Sequence, residues 1–252
     1  MAAEQAAVET LLEALRRECD AAGFDLVQPL QVGWYNSQVT GNLRLEDYGS
    51  PSKLAFVIGN TRALWPKFLA ALRAEPALLS EAHPLYAYTE QRIRRAAALI
   101  ERPWCVRWSH AGGAQLVAMQ RLAHAAGLAY LSESQLSVHA VCGPWIGLRA
   151  ALSIDLPGPP GPEPQLAHPC GGCEGRCRPA FEQAIAAVAA AGNGATDGLE
   201  RAVRHDWRLW LACRDACPTG RQYRYPDEQI RYHYLKDRNQ LRQACLGRPG
   251  TA

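Results

Sequence analysis

The sequence predicts a layered fold of helices and strands, of the α+β or α/β class. Segments in which apolar residues recur every three to four positions alternate with short apolar runs of strand length. No internal repeat is visible, and 252 residues, 48% of them hydrophobic, can bury one core with or without a small appendage. These observations together favour a sheet packed against helices.

The first half of the chain supplies two predicted helices and two extended segments. Leu11, Leu15 and Cys19 share helical spacing, and Gly23 suits the position after a helix, so the first helix is expected over residues 3–22. The next elements are an extended segment over 24–33, a strand over 54–59, and a helix capped by Asn60 or Thr61 with Leu64, Phe68, Leu69 and Leu72 on its buried face.

The second half continues this alternation until a proline-rich segment interrupts it. We expect a helix over 89–101, a strand over 104–108, a helix over 113–127, and strands over 129–134 and 147–154. Residues 156–165 contain five prolines and are predicted to be a linker. Helices are expected beyond it over 178–192, 199–212 and 226–238. The chain therefore divides into a core, residues 1–155, and an extension, residues 156–252.

Charge and composition exclude two classes of partner. The net charge of +3 is small, and no basic run is interleaved with aromatic residues, so a nucleic-acid partner is not expected. No apolar run is long enough for a membrane span, and the first residues do not resemble a signal peptide. Nine cysteines without a secretory signal predict a reducing, cytoplasmic location.

Two cysteine motifs are the most specific feature of the extension. Cys170-x2-Cys173-x3-Cys177 is followed by Cys213-x3-Cys217-Pro. Thiolates at these spacings suit an iron–sulfur cluster or a tetrahedral metal. Three hypotheses follow: one iron–sulfur cluster, a structural zinc site, and thiols without metal.

Five collinear blocks give the chain a resemblance to the cobalamin-processing family MMACHC, or CblC. They span about residues 12–235 and read PLQVGWYN from residue 29, LAFVI from 54, HAAGLAY from 124, WIGLR from 145, and WRLW with RDA and YPDEQ from 207 onward. The resemblance implies an α+β fold: a modified flavin nitroreductase-like mixed sheet flanked by helices, here with a small cysteine-bearing C-terminal extension.

The resemblance also implies site residues. The cofactor-binding set would be Gln31, Trp34, Tyr35, Gln120, His124, Gly127 and Tyr130, and the glutathione-binding set Arg149, Arg214 and Arg238. Anchoring both carboxylates of glutathione would aim its thiolate at the alkyl group to be removed. Each residue also has a structural interpretation: His124 as an ordinary helix residue, Trp34 and Tyr35 as core aromatics, and Arg149 as the partner of a protein carboxylate.

The cysteines are a departure from the CblC family and resemble a different one. Cys213-Arg-Asp-Ala-Cys217-Pro-Thr-Gly is similar to the ferredoxin-like half of epoxyqueuosine reductase, a cobalamin enzyme with iron–sulfur clusters. That family carries an acidic residue before the helix of its glycine block, whereas residues 108–113 here contain no carboxylate. The tRNA-modifying activity of that family is therefore not expected.

The sequence thus predicts an enzyme that binds cobalamin with its lower base detached and removes the upper axial ligand. The reaction would be glutathione-dependent dealkylation or reductive decyanation, with electrons supplied by a flavoprotein donor or through the cysteines. Two alternatives remain: a cobalamin- and iron–sulfur-dependent reductase of a small organic substrate, and a non-catalytic carrier that passes cobalamin to a cobalamin-using enzyme.

Overall fold

A computed structural model describes residues 2–190 and 203–246, with side chains from residue 8 onward. The strands are β1 (Leu26–Gln31), β2 (Lys53–Asn60), β3 (Trp104–Trp108), β4 (Tyr130–Leu131), β5 (Ser137–Val138) and β6 (Gly147–Pro157). The described α-helices are α1 (Ala2–Ala21), α2 (Val32–Asn36), α3 (Leu64–Ala74), α4 (Ala77–Ser80), α5 (Pro84–Ala97), α6 (Met119–Ala125), α7 (Arg178–Ala190), α8 (Trp207–Asp215), α9 (Asp227–Leu235) and α10 (Arg238–Cys245).

The main sheet has the strand order β1-β2-β6-β3, and β4 pairs with β5 in a separate two-stranded sheet. The expected α+β class with helices around a sheet is confirmed. The expected mixture of parallel and antiparallel strands is not found in the main sheet, because all three of its pairings are antiparallel. The reason is the placement of β6, which enters between β2 and β3. These two strands run in the same direction and would pair in parallel as neighbours.

Strand β2 forms the centre of the core. Its residues from Leu54 to Asn60 are all buried, so both faces of the strand are covered, which explains its continuous apolar run. It pairs with β1 through Leu30 and Ala55 and with β6 through Val57 and Ala151.

The chain forms two compact units, Met1–Tyr130 with Ile146–Ala167, and Leu131–Trp145 with His168–Ala252. In the first unit, three aromatic rings pack together in the core: the ring of Tyr88 on α5 lies 6.0 Å from Phe24, which follows α1, and 5.4 Å from Phe68 on α3, centroid to centroid. The functional division after residue 155 stays a prediction.

The second unit has its own core. Trp145, Tyr225 and Ile230 are buried together, and Tyr225 meets Trp145 edge to face at 5.7 Å. Helices α7 and α8 are in contact through Phe181 and Trp210, whose rings are 6.3 Å apart.

Two predicted helices have different boundaries. The helix expected over 89–101 begins at Pro84, because proline suits the first helical position where its missing N–H costs nothing. The helix expected over 113–127 is confined to α6, since Gly113 has a positive φ of 60° and starts a short 3₁₀ turn instead. Parts of the helices predicted over 178–192 and 199–212 lie outside the described residues. Among the described helices, none has the length and apolarity needed to cross a membrane.

Candidate functional site

Helix α6 presents the residues of the predicted HAAGLAY block. Leu122, Ala123 and Ala125 are buried and fix the helix against the first unit, while Gln120 is exposed and His124 is half-buried. The predicted ligand-facing side chains thus lie on the outer face of an anchored helix.

Gly127 ends this helix. Its φ of +73° is the left-handed conformation that glycine adopts without strain, and the Leu128 N–H donates to the Ala123 carbonyl at 2.9 Å. A Cβ atom at Gly127 would come 2.9 Å from the Cβ of Pro164, so the proline-rich segment also requires a glycine here.

The turn after α6 brings Tyr130 against His124. The two rings meet edge to face, with centroids 5.4 Å apart and an interplanar angle of 67°. Both side chains are half-buried. The Tyr130 ring therefore packs against an imidazole that stands in the last turn of α6.

The side chains of the GWYN block mainly support the structure of the first unit. Tyr35 is fully buried; its hydroxyl donates to the Leu43 carbonyl and accepts from the Ala118 N–H, both at 3.0 Å. Asn36 holds the backbone of Leu45 through both amide atoms, at 3.0 and 2.8 Å. Trp34 is half-buried, beside these core residues.

Gln31 stands at the end of β1 and contacts the proline-rich segment. Its Nε2 donates to the Pro159 carbonyl at 2.8 Å. The amide nitrogen of Gln31 is thus engaged within the protein and attaches that segment to the main sheet.

Arg149 lies on β6 beside the buried end of β2. Its Nε donates to the Asn60 Oδ1 at 2.6 Å, and the Asn60 Nδ2 donates to the Thr61 carbonyl at 2.7 Å. Asn60 is fully buried, so this contact fixes the position of the guanidinium. The sequence suggested Asn60 only as a possible helix cap; the apolar strand ending on a polar amide was the signal for this further role.

The other two predicted arginines belong to the second unit. Arg214 is half-buried in the last turn of α8, where its charge opposes the rise that burial causes in the pKa of Tyr234. Arg238 is exposed at the start of α10. The three arginines proposed for glutathione are therefore divided between the two units.

The five motif cysteines all lie in the second unit, and a serine hydroxyl contacts the sulfur of one of them. The Ser134 hydroxyl donates to the Cys177 Sγ at 3.1 Å. Burial raises the pKa of Cys217, and the N–H and hydroxyl of Thr219 oppose that rise. The sequence did not single out Ser134, whereas Thr219 was part of the quoted motif because it follows the Cys217-Pro element.

Burial and mutual charge raise the pKa of three of these thiols. Burial is the largest cause for Cys170, Cys213 and Cys217, and brings Cys213 to a pKa of about 11. The next cause for Cys170 is the charge of Cys173, and Cys177 acts on all three. The five thiols therefore form one electrostatic network. Within the described residues, however, no group of three or more His, Cys, Asp or Glu side chains is arranged to hold a metal ion.

Comparisons with known proteins bear on the fold. Neither a family model nor a curated protein sequence matches the chain. The structure is similar to that of a C. elegans B12-trafficking protein CblC, a human MMACHC homologue, with a TM-score of 0.66 and 15% identity, covering 95% of this chain and 97% of that one.

Two epoxyqueuosine reductase structures are more distant. The enzyme from Streptococcus thermophilus gives a TM-score of 0.49 at 13% identity, over 92% of this chain and 79% of that one. A selenomethionine-labelled epoxyqueuosine reductase gives 0.50 at 13% identity, over 87% and 68%. The architecture is thus that of an α+β protein with a helix-flanked sheet. More particularly, it is the fold of CblC, and the resemblance predicted from the sequence blocks is confirmed at the level of fold.

Proposed function

We propose that this protein binds cobalamin in its first unit and processes the upper axial ligand. The observation that supports this most is the fold shared with a B12-trafficking CblC protein over nearly the whole length of both chains. The donor chemistry agrees, because the edge of a corrin carries amide groups and α6 presents an amide, Gln120, and an imidazole, His124.

The residues of the first unit divide into those that would contact the ligand and those that would hold them in place. Gln120, His124 and Tyr130 would contact the corrin edge, with Trp34 as an apolar neighbour. Gly127 gives the chain the turn that brings Tyr130 to His124. Tyr35 and Gln31 would act indirectly, since their polar groups are already engaged with the protein backbone.

Arg149 would bind a carboxylate of glutathione and so hold its thiolate near the cobalamin. When cobalamin is bound, it supplies a cobalt–ligand bond that a thiolate or a reductant can cleave. Asn60 holds the Nε of the guanidinium at 2.6 Å, which fixes the direction of the side chain and reduces the entropy lost on binding an anion. Arg214 and Arg238 are the further candidates for this role in the second unit.

An anaerobic absorption spectrum of the purified protein with methylcobalamin tests the proposal. A shift of the corrin bands to the base-off form, followed by loss of the alkyl bands on adding glutathione, is expected. A base-off shift without conversion by glutathione or by a reductant, with cyanocobalamin also tested, would identify a carrier. Unchanged corrin bands would contradict cobalamin binding altogether.

Variants of Arg149 test the assignment within the enzyme. Removing a charge-assisted contact costs about 1.5–3 kcal/mol, so Arg149→Met should raise the KM for glutathione by about 10- to 150-fold. Cobalamin binding should stay unchanged. The matched control is Arg62→Met, because Arg62 is an exposed arginine of the same unit. An equal effect of both variants would argue against a specific anion contact.

The cysteines support a second candidate, a cobalamin- and iron–sulfur-dependent reductase. The specific observation is the influence of the five thiols on the pKa values of three of them, together with the hydrogen bond from the Ser134 hydroxyl to the Cys177 sulfur. The donors fit such a cluster in kind, but their present arrangement does not form a metal site. Measuring the iron, sulfide and zinc content of anaerobically purified protein distinguishes three cases: an iron–sulfur cluster, a zinc site and thiols without metal. Absence of iron and sulfide, whether or not zinc is found, would remove the reductase hypothesis.

A further inference from the structure

A cleft with a volume of about 300 Å³ opens in the first unit between α1, α3 and α5. None of the residues discussed for cobalamin or glutathione lines it. Its lining consists of Glu18, Ala21, Ala22, Lys67, Ala71, Tyr88, Arg92 and Arg95.

Positive charge predominates around this cleft. Three cationic side chains, Lys67, Arg92 and Arg95, face it against the single carboxylate of Glu18. Arg92 also pairs with Glu75, which does not line the cleft. Lys67 and Arg95 are exposed, and among the described side chains neither has an ion-pair partner. Their two charges are therefore available to an anionic ligand.

The floor and the wall of the cleft are fixed. Tyr88 is 2% exposed, and its hydroxyl donates to the Ala22 carbonyl at 2.9 Å. The Arg92 guanidinium lies over the Tyr88 ring, 5.3 Å from its centroid, and its contact with Glu75 holds it there. The arginine is thus oriented before any ligand arrives, which lowers the entropic cost of binding.

Small side chains in its walls keep the cleft open. Alanines line the cleft at the end of α1 (Ala21), just after it (Ala22) and on α3 (Ala71), where longer side chains would fill the space. A volume of about 300 Å³ is at the lower end of the range for small-molecule sites, so the occupant is compact.

We propose that this cleft binds a small anion that carries a phosphate or diphosphate group. A planar guanidinium can contact two phosphate oxygens at once, and a lysine adds a point charge, so Arg95 and Lys67 together suit a phosphate better than a neutral ligand. Glu18 on the opposite side restricts the negative end of the ligand to the α3 and α5 side. The inference is independent of cobalamin binding.

Titration of the full chain with inorganic pyrophosphate, by calorimetry at low ionic strength, tests the site. Saturable binding at one site is expected, and it should weaken as salt is added, because exposed charges are screened. Lys67→Gln and Arg95→Gln should each weaken binding by about tenfold. Repeating the titration with ADP identifies the source of the phosphate: tighter binding assigns a nucleotide, and weaker binding assigns a free phosphate.

Two further variants separate a built site from diffuse surface charge. Ala71→Leu fills the cleft without changing charge, and should abolish binding while leaving the melting temperature nearly unchanged. Arg62→Gln removes an exposed charge that does not line the cleft, and should change the affinity by less than twofold. Three results would each overturn the proposal. The first is a binding heat that does not saturate, the second is an equal loss of pyrophosphate affinity in the Arg62→Gln variant, and the third is undiminished binding by the Ala71→Leu variant.

Discussion

Replacing Tyr35 by phenylalanine removes one hydroxyl that joins two backbone segments of the first unit. Burial raises the pKa of Tyr35, so the hydroxyl is protonated at neutral pH and can donate to Leu43 while it accepts from Ala118. The variant leaves a carbonyl and an N–H without this partner. Each such loss costs about 1–3 kcal/mol when the group is fully buried. Both hydrogen bonds here are only partly buried, so the lower limit applies to each and the total is about 2 kcal/mol.

Chemical and thermal denaturation measure this difference. For a protein of this size, a loss of about 2 kcal/mol lowers Tm by about 4–8 °C. Tyr48→Phe is the matched control, because the Tyr48 hydroxyl makes one long contact, 3.4 Å to the Ser153 carbonyl. Its expected cost is below about 0.5 kcal/mol. If both variants lose the same stability, or Tyr35→Phe loses none, the hydroxyl does not join these segments as described.

Three further variants test other parts of the structure by denaturation. Gly143→Ala should destabilise the second unit by more than about 3 kcal/mol, because Gly143 has a φ of +58° and a Cβ atom there would overlap the Thr219 carbonyl oxygen. Gly49→Ala is the control: Gly49 has a φ of +78° but open space around it, so the substitution should cost only about 1 kcal/mol. Burial raises the pKa of Cys19 to about 12 from an ordinary 9.0, so the unfolded chain ionises first as pH rises. Wild-type stability should therefore fall relative to Cys19→Ala by about 1.4 kcal/mol per pH unit between these two values, and parallel curves would contradict the shift. Asp237→Ala should cost about 1 kcal/mol, because its carboxylate accepts from two N–H groups at the start of α10; no loss would mean that the cap is not formed.

Local patterns were sufficient to predict the main strands and several helices. The strand predicted over 104–108 has the observed limits, and the helical spacing correctly predicted the buried residues Leu64, Phe68, Leu69 and Leu72. These elements carry their own apolar pattern, and burial follows directly from it. The order of the sheet could not be predicted in this way, because the insertion of β6 between β2 and β3 depends on contacts between residues far apart in the chain.

The candidate site was predictable in its residues and not in their partners. Sequence blocks indicated Arg149, but the amide that holds it, Asn60, lies 89 positions away across a strand pairing. Ser134 is 43 positions from the cysteine it contacts, and no spacing rule connects a lone serine to a distant thiol. Tyr35 was predicted as a cofactor neighbour, yet its hydroxyl is engaged by two backbone segments that only the folded chain brings to it.

The fold by itself does not decide between the two proposed enzymes, because structures of CblC and of epoxyqueuosine reductase both align with this chain. The side chains that distinguish the proposals fall in different units: Arg149 in the first, and the thiols of Cys170, Cys213 and the other motif cysteines in the second. Arg149→Met should impair a glutathione-dependent reaction and leave any bound metal in place. Cys213→Ser with Cys217→Ser should remove a bound cluster and leave glutathione-dependent dealkylation intact. If both substitutions abolish the same reaction, the two sets of residues serve one mechanism, and neither proposal alone is sufficient.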